Sequence, residues 1–155
     1  MSEVYYADSS ALTKRHIPET GSAWVEQEFD QASGNRIVTA KLSIVEVLSA
    51  MNRRLREGDT TATEYAQFSG DFLSFVGVDY EIIEFSDAVL LEAQRLLETY
   101  PLRAGDSIQL ASAVLANNEL RAAQLPALIF LASDARLLAA AASENLAADN
   151  PLNHP

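Results

Sequence analysis

The sequence predicts an α/β protein, and two observations carry that reading. Short apolar runs alternate with segments of helical period, and four acids stand where such a run gives way to a helix start. Asp8 closes the run Val4-Tyr5-Tyr6-Ala7. Asp134 closes Leu128-Ile129-Phe130-Leu131-Ala132-Ser133, so both lie just past the carboxyl end of a short buried strand. Asp106 follows Gly105 and opens the apolar helix Ile108 to Leu115. Glu46 lies inside a helix that begins after the strand-like segment Arg36-Ile37-Val38-Thr39. Ligands of open α/β sheets bind at the carboxyl edge of the strands, so all four acids could converge on one cleft.

Each element follows from local signals. After the first strand, Ser9 and Ser10 are good N-cap types for a short helix from Ala11 to His16, which Pro18 ends. Thr20-Gly21-Ser22 restarts a helix carrying Trp24, Val25 and Phe29, and Ser33-Gly34-Asn35 turns the chain into the Ile37-Val38 strand, a βαβ unit. A long helix from Lys41 to Glu57 is apolar on most sides through Leu48, which predicts that its first half is buried. Gly58-Asp59 ends it. Thr61 with Glu64 forms a capping-box pattern, and Tyr65, Phe68, Phe72 and Phe75 recur at helical spacing as a core or interface stripe.

Val78 to Phe85 reads as a strand, and Ser86 caps a helix whose inner stripe is Leu90, Ala93, Leu97 and Tyr100, stopped by Pro101. The Asp106 helix is rich in small residues and is expected to end near Asn117-Asn118. After the Leu128 to Ala132 strand come a helix from Arg136 to Ala142 and a short strand near Leu146-Ala147-Ala148. Residues 1–149 read as one domain. Residues 150–155, from Asn150 to Pro155, read as an irregular tail because Pro and Asn break both periods.

Composition narrows the chemistry. The chain has 155 residues, 48% of them hydrophobic, enough for one domain with a real core. Its longest apolar stretch is well short of the roughly 20 residues of a membrane span. No basic segment precedes a long apolar one near the start, so a cytoplasmic protein is the default expectation. The absence of cysteine excludes disulfides and thiolate metal sites, leaving oxygen ligands or His16 and His154. A breaker beside His16 and the tail around His154 mark both as surface residues. The net charge of −11 excludes a surface that attracts nucleic acid everywhere. Local basic groups would have to do so: Arg53, Arg54 and Arg56, the pair Lys14-Arg15, and Arg103 are the candidate RNA contacts. The three clustered arginines equally suit a helix C-terminus.

Several carboxylates within a few ångströms of one another repel, and a fold tolerates that only with a cation, protons or Arg partners. Oxygen ligation without Cys favours Mg²⁺ or Mn²⁺, ions that commonly meet substrate through phosphate oxygens, and phosphodiester hydrolysis is the matching reaction. Asp8, Asp106 and Asp134 taken singly read equally well as helix caps. Glu46 says more, because it sits among Leu42, Ile44, Val45, Val47 and Leu48 and requires a metal or an Arg as partner. Trp24 and Tyr5-Tyr6 read as core.

Four segments together resemble a known family: Tyr6-Ala7-Asp8-Ser9-Ser10-Ala11-Leu12, Ser43-Ile44-Val45-Glu46-Val47, Arg103-Ala104-Gly105-Asp106-Ser107-Ile108-Gln109-Leu110-Ala111-Ser112-Ala113, and Leu131-Ala132-Ser133-Asp134-Ala135-Arg136-Leu137. In this order and spacing they resemble a PIN-domain ribonuclease of the VapC-like toxin type, across essentially the whole chain. The resemblance implies a three-layer α/β/α fold with a parallel sheet of about five strands. It implies that Asp8, Glu46, Asp106 and Asp134 are catalytic metal-binding acids, supported by the Ser9 or Ser133 hydroxyls. It also implies Mg²⁺-dependent endonucleolytic cleavage of RNA, a small cognate antitoxin as partner, and a homodimer; Tyr65 to Phe75 is a candidate for subunit or antitoxin contact. Where many relatives carry a further acid after the last aspartate, this chain has Ala135, Arg136 and Leu137.

Other functions fit less of the pattern. A non-catalytic RNA- or protein-binding module on the same fold would not need all four acids. A phosphatase of the haloacid-dehalogenase type needs a second aspartate where Ser10 stands, and a receiver-like domain would leave Glu46 and Asp106 without a role.

Overall fold

The computed structural model describes residues 2–155. Five strands, β1 (Val4–Ala7), β2 (Arg36–Ala40), β3 (Tyr80–Ile83), β4 (Ile129–Leu131) and β5 (Ala147–Asp149), form one sheet in the order β3-β2-β1-β4-β5. Every pairing is parallel, with Tyr6 level with Val38 on one side and Phe130 on the other. A parallel sheet needs both faces covered. Seven helices cover them: α1 (Ser9–His16), α2 (Ser22–Phe29), α3 (Leu42–Glu57), α4 (Ala62–Phe75), α5 (Asp87–Thr99), α6 (Ala104–Ala122) and α7 (Ala135–Ser143).

Strand alternation divides the core. Val4, Tyr6, Val38, Ala40 and Phe130 face α5, α6 and α7, whereas Tyr5, Ala7, Ile37, Tyr80 and Leu131 face α1 to α4. The α/β/α layering and the five-stranded parallel sheet agree with expectation. The chain starts in the middle strand, works outward to β3, then crosses to β4 and β5. Its topological switch point therefore lies between β1 and β4, where open sheets of this class form a crevice.

Several expectations are corrected. Only Ser43, Val47 and Met51 of α3 are buried, and Val45 is 62% exposed, so its first half has one inner face. The inner stripe of α5 is Val89, Ala93 and Leu96, one residue before the predicted Leu90 and Leu97, which are exposed. The strand predicted from Val78 to Phe85 is shorter, because Gly77 adopts a positive φ of 76° and turns the chain immediately before it. Helix α6 runs past Asn117-Asn118 to Ala122, since buried Asn117 spends its side-chain oxygen on the Leu128 amide at 3.0 Å and leaves the helix intact.

Of the α4 aromatics Phe72 is fully buried in this chain's own core, and Tyr65, Phe68 and Phe75 pack against that core while partly exposed. His16 is buried, not exposed: its Nε2 lies 2.7 Å from the Tyr80 hydroxyl, and Phe72 and Phe75 flank the ring. In the tail, Pro151–Asn153 form a 3-10 turn, and His154 stacks on Trp24 with ring centroids 4.1 Å apart. Gly21, at φ 90°, accommodates this return, because a Cβ there would meet the Pro151 carbonyl oxygen at 2.5 Å. No helix among the described residues is long and apolar enough to cross a membrane.

Candidate active site

Asp8 is the first residue beyond β1. Its amide donates to the Leu131 carbonyl at 3.0 Å, extending the β1–β4 ladder by one bond. Its Oδ1 accepts from the Ala11 amide at 3.0 Å and from the Ser10 hydroxyl at 2.6 Å. Asp8 is thus the N-cap of α1, the place predicted for Ser9 or Ser10. Ser10 Oγ also accepts from the Ser133 amide at 3.1 Å, tying the ends of β1 and β4 together at the switch point. Burial pushes the Asp8 carboxyl from 3.8 up to about 6, against the opposing hydrogen bonds of Ser10 and Ala11, and the charge of Glu46 adds to the rise.

Glu46 reaches the same edge from α3. It is half-buried, its Oε1 accepting from Gln109 Nε2 at 2.8 Å and its Oε2 from the Ser9 hydroxyl at 3.3 Å. The sequence called for a metal or an arginine beside this carboxylate; among the described residues an amide and a hydroxyl donate to it, and no arginine does. The start of α6 abuts this carboxylate: a Cβ on Gly105 would stand 3.7 Å from Glu46 Oε2. Asp106 follows in the first turn of α6, half-buried. Asp134 is exposed and caps α7, its Oδ1 accepting from the Arg136 and Leu137 amides at 2.8 and 3.1 Å. Asp8, Asp106 and Asp134 thus all sit at helix N-termini, where the backbone dipole favours negative charge. That lowers the cost of gathering acids at one edge.

The acids share an edge without forming a closed cage. Among the described residues no three Asp, Glu or His side chains come together as a ready-made ion site. The donor chemistry nonetheless suits a hard cation, being carboxylate and hydroxyl throughout. One buried oxygen is also left over, since Ser133 Oγ, just past β4, has no hydrogen-bond partner among the described residues. Of the two predicted supporting hydroxyls, Ser9 donates to Glu46, and Ser133 is the unpartnered one.

A cleft of about 560 Å³ opens beside Glu46, lined by Ser9, Ser10, Ser49, Arg53 and Arg54 among others. The remaining predicted basic contacts divide. Arg56 and Arg103 are exposed near the ends of α3 and α6. Lys14 is buried and bonded to Glu19 at 2.8 Å, and Glu19 also pairs with Arg54. Arg15 lies over the Phe75 ring, 4.6 Å from its centroid, with Asp79 at 3.6 Å. Lys14 and Arg15 are therefore corrected: they brace α1 internally, because their aliphatic stems cover the core while nearby acids take their charges.

Sequence reasoning did not single out the polar seam beneath the site. Tyr6 donates to Gln109 Oε1 at 2.7 Å, and Gln109 Nε2 donates to Ser43 Oγ at 2.9 Å as well as to Glu46. Thr39 Oγ1 lies 2.6 Å from the Ala7 carbonyl and 2.7 Å from Ser43 Oγ. Each hydroxyl has one hydrogen, so Thr39 gives its own to Ala7, and Ser43 donates to Thr39 while accepting from Gln109. The available signal was polar residues, Ser43 and Gln109, on otherwise apolar helix faces.

An α/β fold with a carboxylate-lined switch point defines a class, and comparison with known proteins gives the family. The PIN domain model matches residues 5–141, and the chain belongs to the PIN domain family. No curated protein sequence gave a significant match. Similar solved structures include VapBC2 from Rickettsia felis, crystallised with a DNA fragment from its promoter. It shows a TM-score of 0.62 and 14% identity, covering 95% of this chain and 98% of that one. PAE2754 from Pyrobaculum aerophilum gives 0.62 and 19%, with 99% and 93% covered. FitAcB from Neisseria gonorrhoeae gives 0.63 and 11%, with 96% and 97% covered. At such identities these likenesses establish the fold.

Proposed function

We propose that this PIN-domain protein is a metal-dependent endoribonuclease and the toxin of a toxin–antitoxin pair. PIN domains are generally nucleases, and they typically use divalent metals. The observation that carries the reading is the placement of Asp8 and Asp134 on either side of the β1–β4 switch point, with Glu46 and Asp106 brought to the same edge by helices. Asp8, Glu46, Asp106 and Asp134 would hold Mg²⁺, or Mn²⁺ in its place. When bound, that ion supplies charge neutralisation at the scissile phosphate and lowers the pKa of water.

The chain's own groups do the rest. Gln109 and Ser9 hold the Glu46 carboxylate as an acceptor, Ser10 ties the Asp8 carboxylate to the Ser133 backbone, and Ser133 Oγ remains available as a donor. Arg53 on the cleft wall, with the exposed Arg56 and Arg103 near the ends of α3 and α6, would meet backbone phosphates. Similar structures include a toxin–antitoxin complex from Klebsiella pneumoniae and VapBC2, which supports a small cognate antitoxin as partner. A homodimer rests on the family resemblance.

The test is cleavage of structured RNA by purified protein with Mg²⁺, Mn²⁺ or EDTA, beside Asp8→Asn from the same preparation. Metal-dependent cutting that falls to the EDTA level in the variant is expected. Equal cutting by both proteins would trace the activity to a contaminant and sink the proposal.

A further inference from the structure

We infer that Gln109 is a positioning residue that fixes the Glu46 carboxylate for the metal site, an inference resting on the metal-dependent reading above. Gln109 is 2% exposed, and its amide is fully committed. Its oxygen accepts from Tyr6 at 2.7 Å, and its nitrogen donates one hydrogen to Ser43 at 2.9 Å and the other to Glu46 at 2.8 Å. The Glu46 carboxylate removes the usual amide ambiguity. The Tyr6 hydroxyl can face either end of the amide, but turning the amide round would set its carbonyl against the Glu46 carboxylate, acceptor to acceptor. The side chain is thereby locked with N–H directed at Glu46.

Glu46 itself has no such anchorage. It lies half-exposed on α3, with Val45 beside it open to solvent, and its other bond is a 3.3 Å contact from Ser9. A flexible glutamate in that position samples several rotamers, and ordering it on ligand binding has an entropic cost. Gln109 meets that cost in the fold. The seam joins three separate elements: Tyr6 from the central strand, Ser43 from the first turn of α3, and Gln109 from α6. The seam therefore converts the relative placement of β1, α3 and α6 into the direction of one carboxylate, without touching substrate.

The experiment compares Mn²⁺ binding, read by the electron paramagnetic resonance of free Mn²⁺, in wild type, Gln109→Met, Gln109→Asn and Tyr6→Phe. Thermal melting is measured in EDTA on the same samples. Gln109→Met keeps the volume and removes both donors, whereas Gln109→Asn keeps an amide too short to span Tyr6 and Glu46. Tyr6→Phe breaks the same buried seam at its far end, on the amide oxygen, while Ser43 still accepts from the Gln109 nitrogen and keeps its other N–H directed at Glu46. We expect Mn²⁺ affinity to fall about tenfold in both Gln109 variants and by less than about twofold in Tyr6→Phe, although all three melt lower. In RNA cleavage the Gln109 variants should lose kcat with KM for RNA unchanged. Folded Gln109 variants that bind Mn²⁺ as wild type does would overturn the inference while leaving the metal reading intact. Equal loss of affinity in Tyr6→Phe would reduce Gln109 to a structural role, and a wild type that binds no Mn²⁺ would overturn both readings.

Discussion

Two buried polar clusters flank α1 and α3, and they are built in opposite ways. The seam of Thr39, Ser43, Gln109 and Tyr6 uses its donors in sequence and ends on the Glu46 carboxylate. The box around His16 is mostly aromatic, formed by Phe72, Phe75 and Tyr80, with one hydrogen bond to the imidazole and a buried Arg15 nitrogen that has no partner. A satisfied network specifies direction, while an aromatic box supplies area and tolerates an imperfect polar group. The first aims a side chain at the candidate site. The second pins the far end of the helix whose N-terminus carries Asp8.

The largest effect that would separate the two is on stability. Phe72 is fully buried in the box, so Phe72→Ala should cost about 3–5 kcal/mol in urea unfolding. Mn²⁺ affinity per folded molecule should stay unchanged. A coupled loss of affinity would mean that the box and the seam act as one unit.

Acid titration gives a smaller and more specific contrast. Burial, aided by the Arg15 charge, pulls His16 from 6.5 down to about 4. The unfolded chain therefore takes up a proton before the folded one does, and stability that is complete above pH 6.5 is lost as pH falls toward 4. Asp8, raised from 3.8 to about 6, has the opposite sign: the folded chain binds the proton first, so stability is gained as pH falls from about 6 toward 3.8. Measured in EDTA, the two contributions offset each other in wild type. Asp8→Asn should steepen the loss of the urea midpoint between pH 6 and 4, and His16→Gln should flatten or reverse it. Identical profiles for both variants would refute the opposition. The smallest effect belongs to Arg53→Ala, on the cleft wall outside both clusters. Its stability should stay within about 0.5 kcal/mol of wild type, while RNA affinity falls and becomes less dependent on salt.

What the sequence made legible followed from local period. Asp8 and Asp134 could be placed because each ends an apolar run and starts a helix, and the capping box of Thr61 and Glu64 appears as expected. What it hid depends on residues distant in the chain. His16 is buried by aromatics from α4 and β3, and Gln109 meets Ser43 across 66 positions. In α5 the leucines at 90, 91, 96 and 97 allow two stripes, and packing on α6 selects the one through Leu96. Lys14 and Arg15 looked like surface cations because Glu19 and Asp79 could not be placed beside them without the fold.

The strand order also sets when the site can exist. Central strand β1 is synthesised well before its β4 neighbour, which lies more than a hundred residues further along, at Ile129. During vectorial synthesis a growing chain can pair β1 with β2, and β2 with β3, yet Asp8 and Asp134 cannot stand across one crevice until β4 has emerged. A chain cut before β4 would carry Asp8, Glu46 and Asp106 without the fourth acid or the strand that pairs with β1 beside Asp8, so the carboxylate edge comes into being only once the segment through Asp134 is in place.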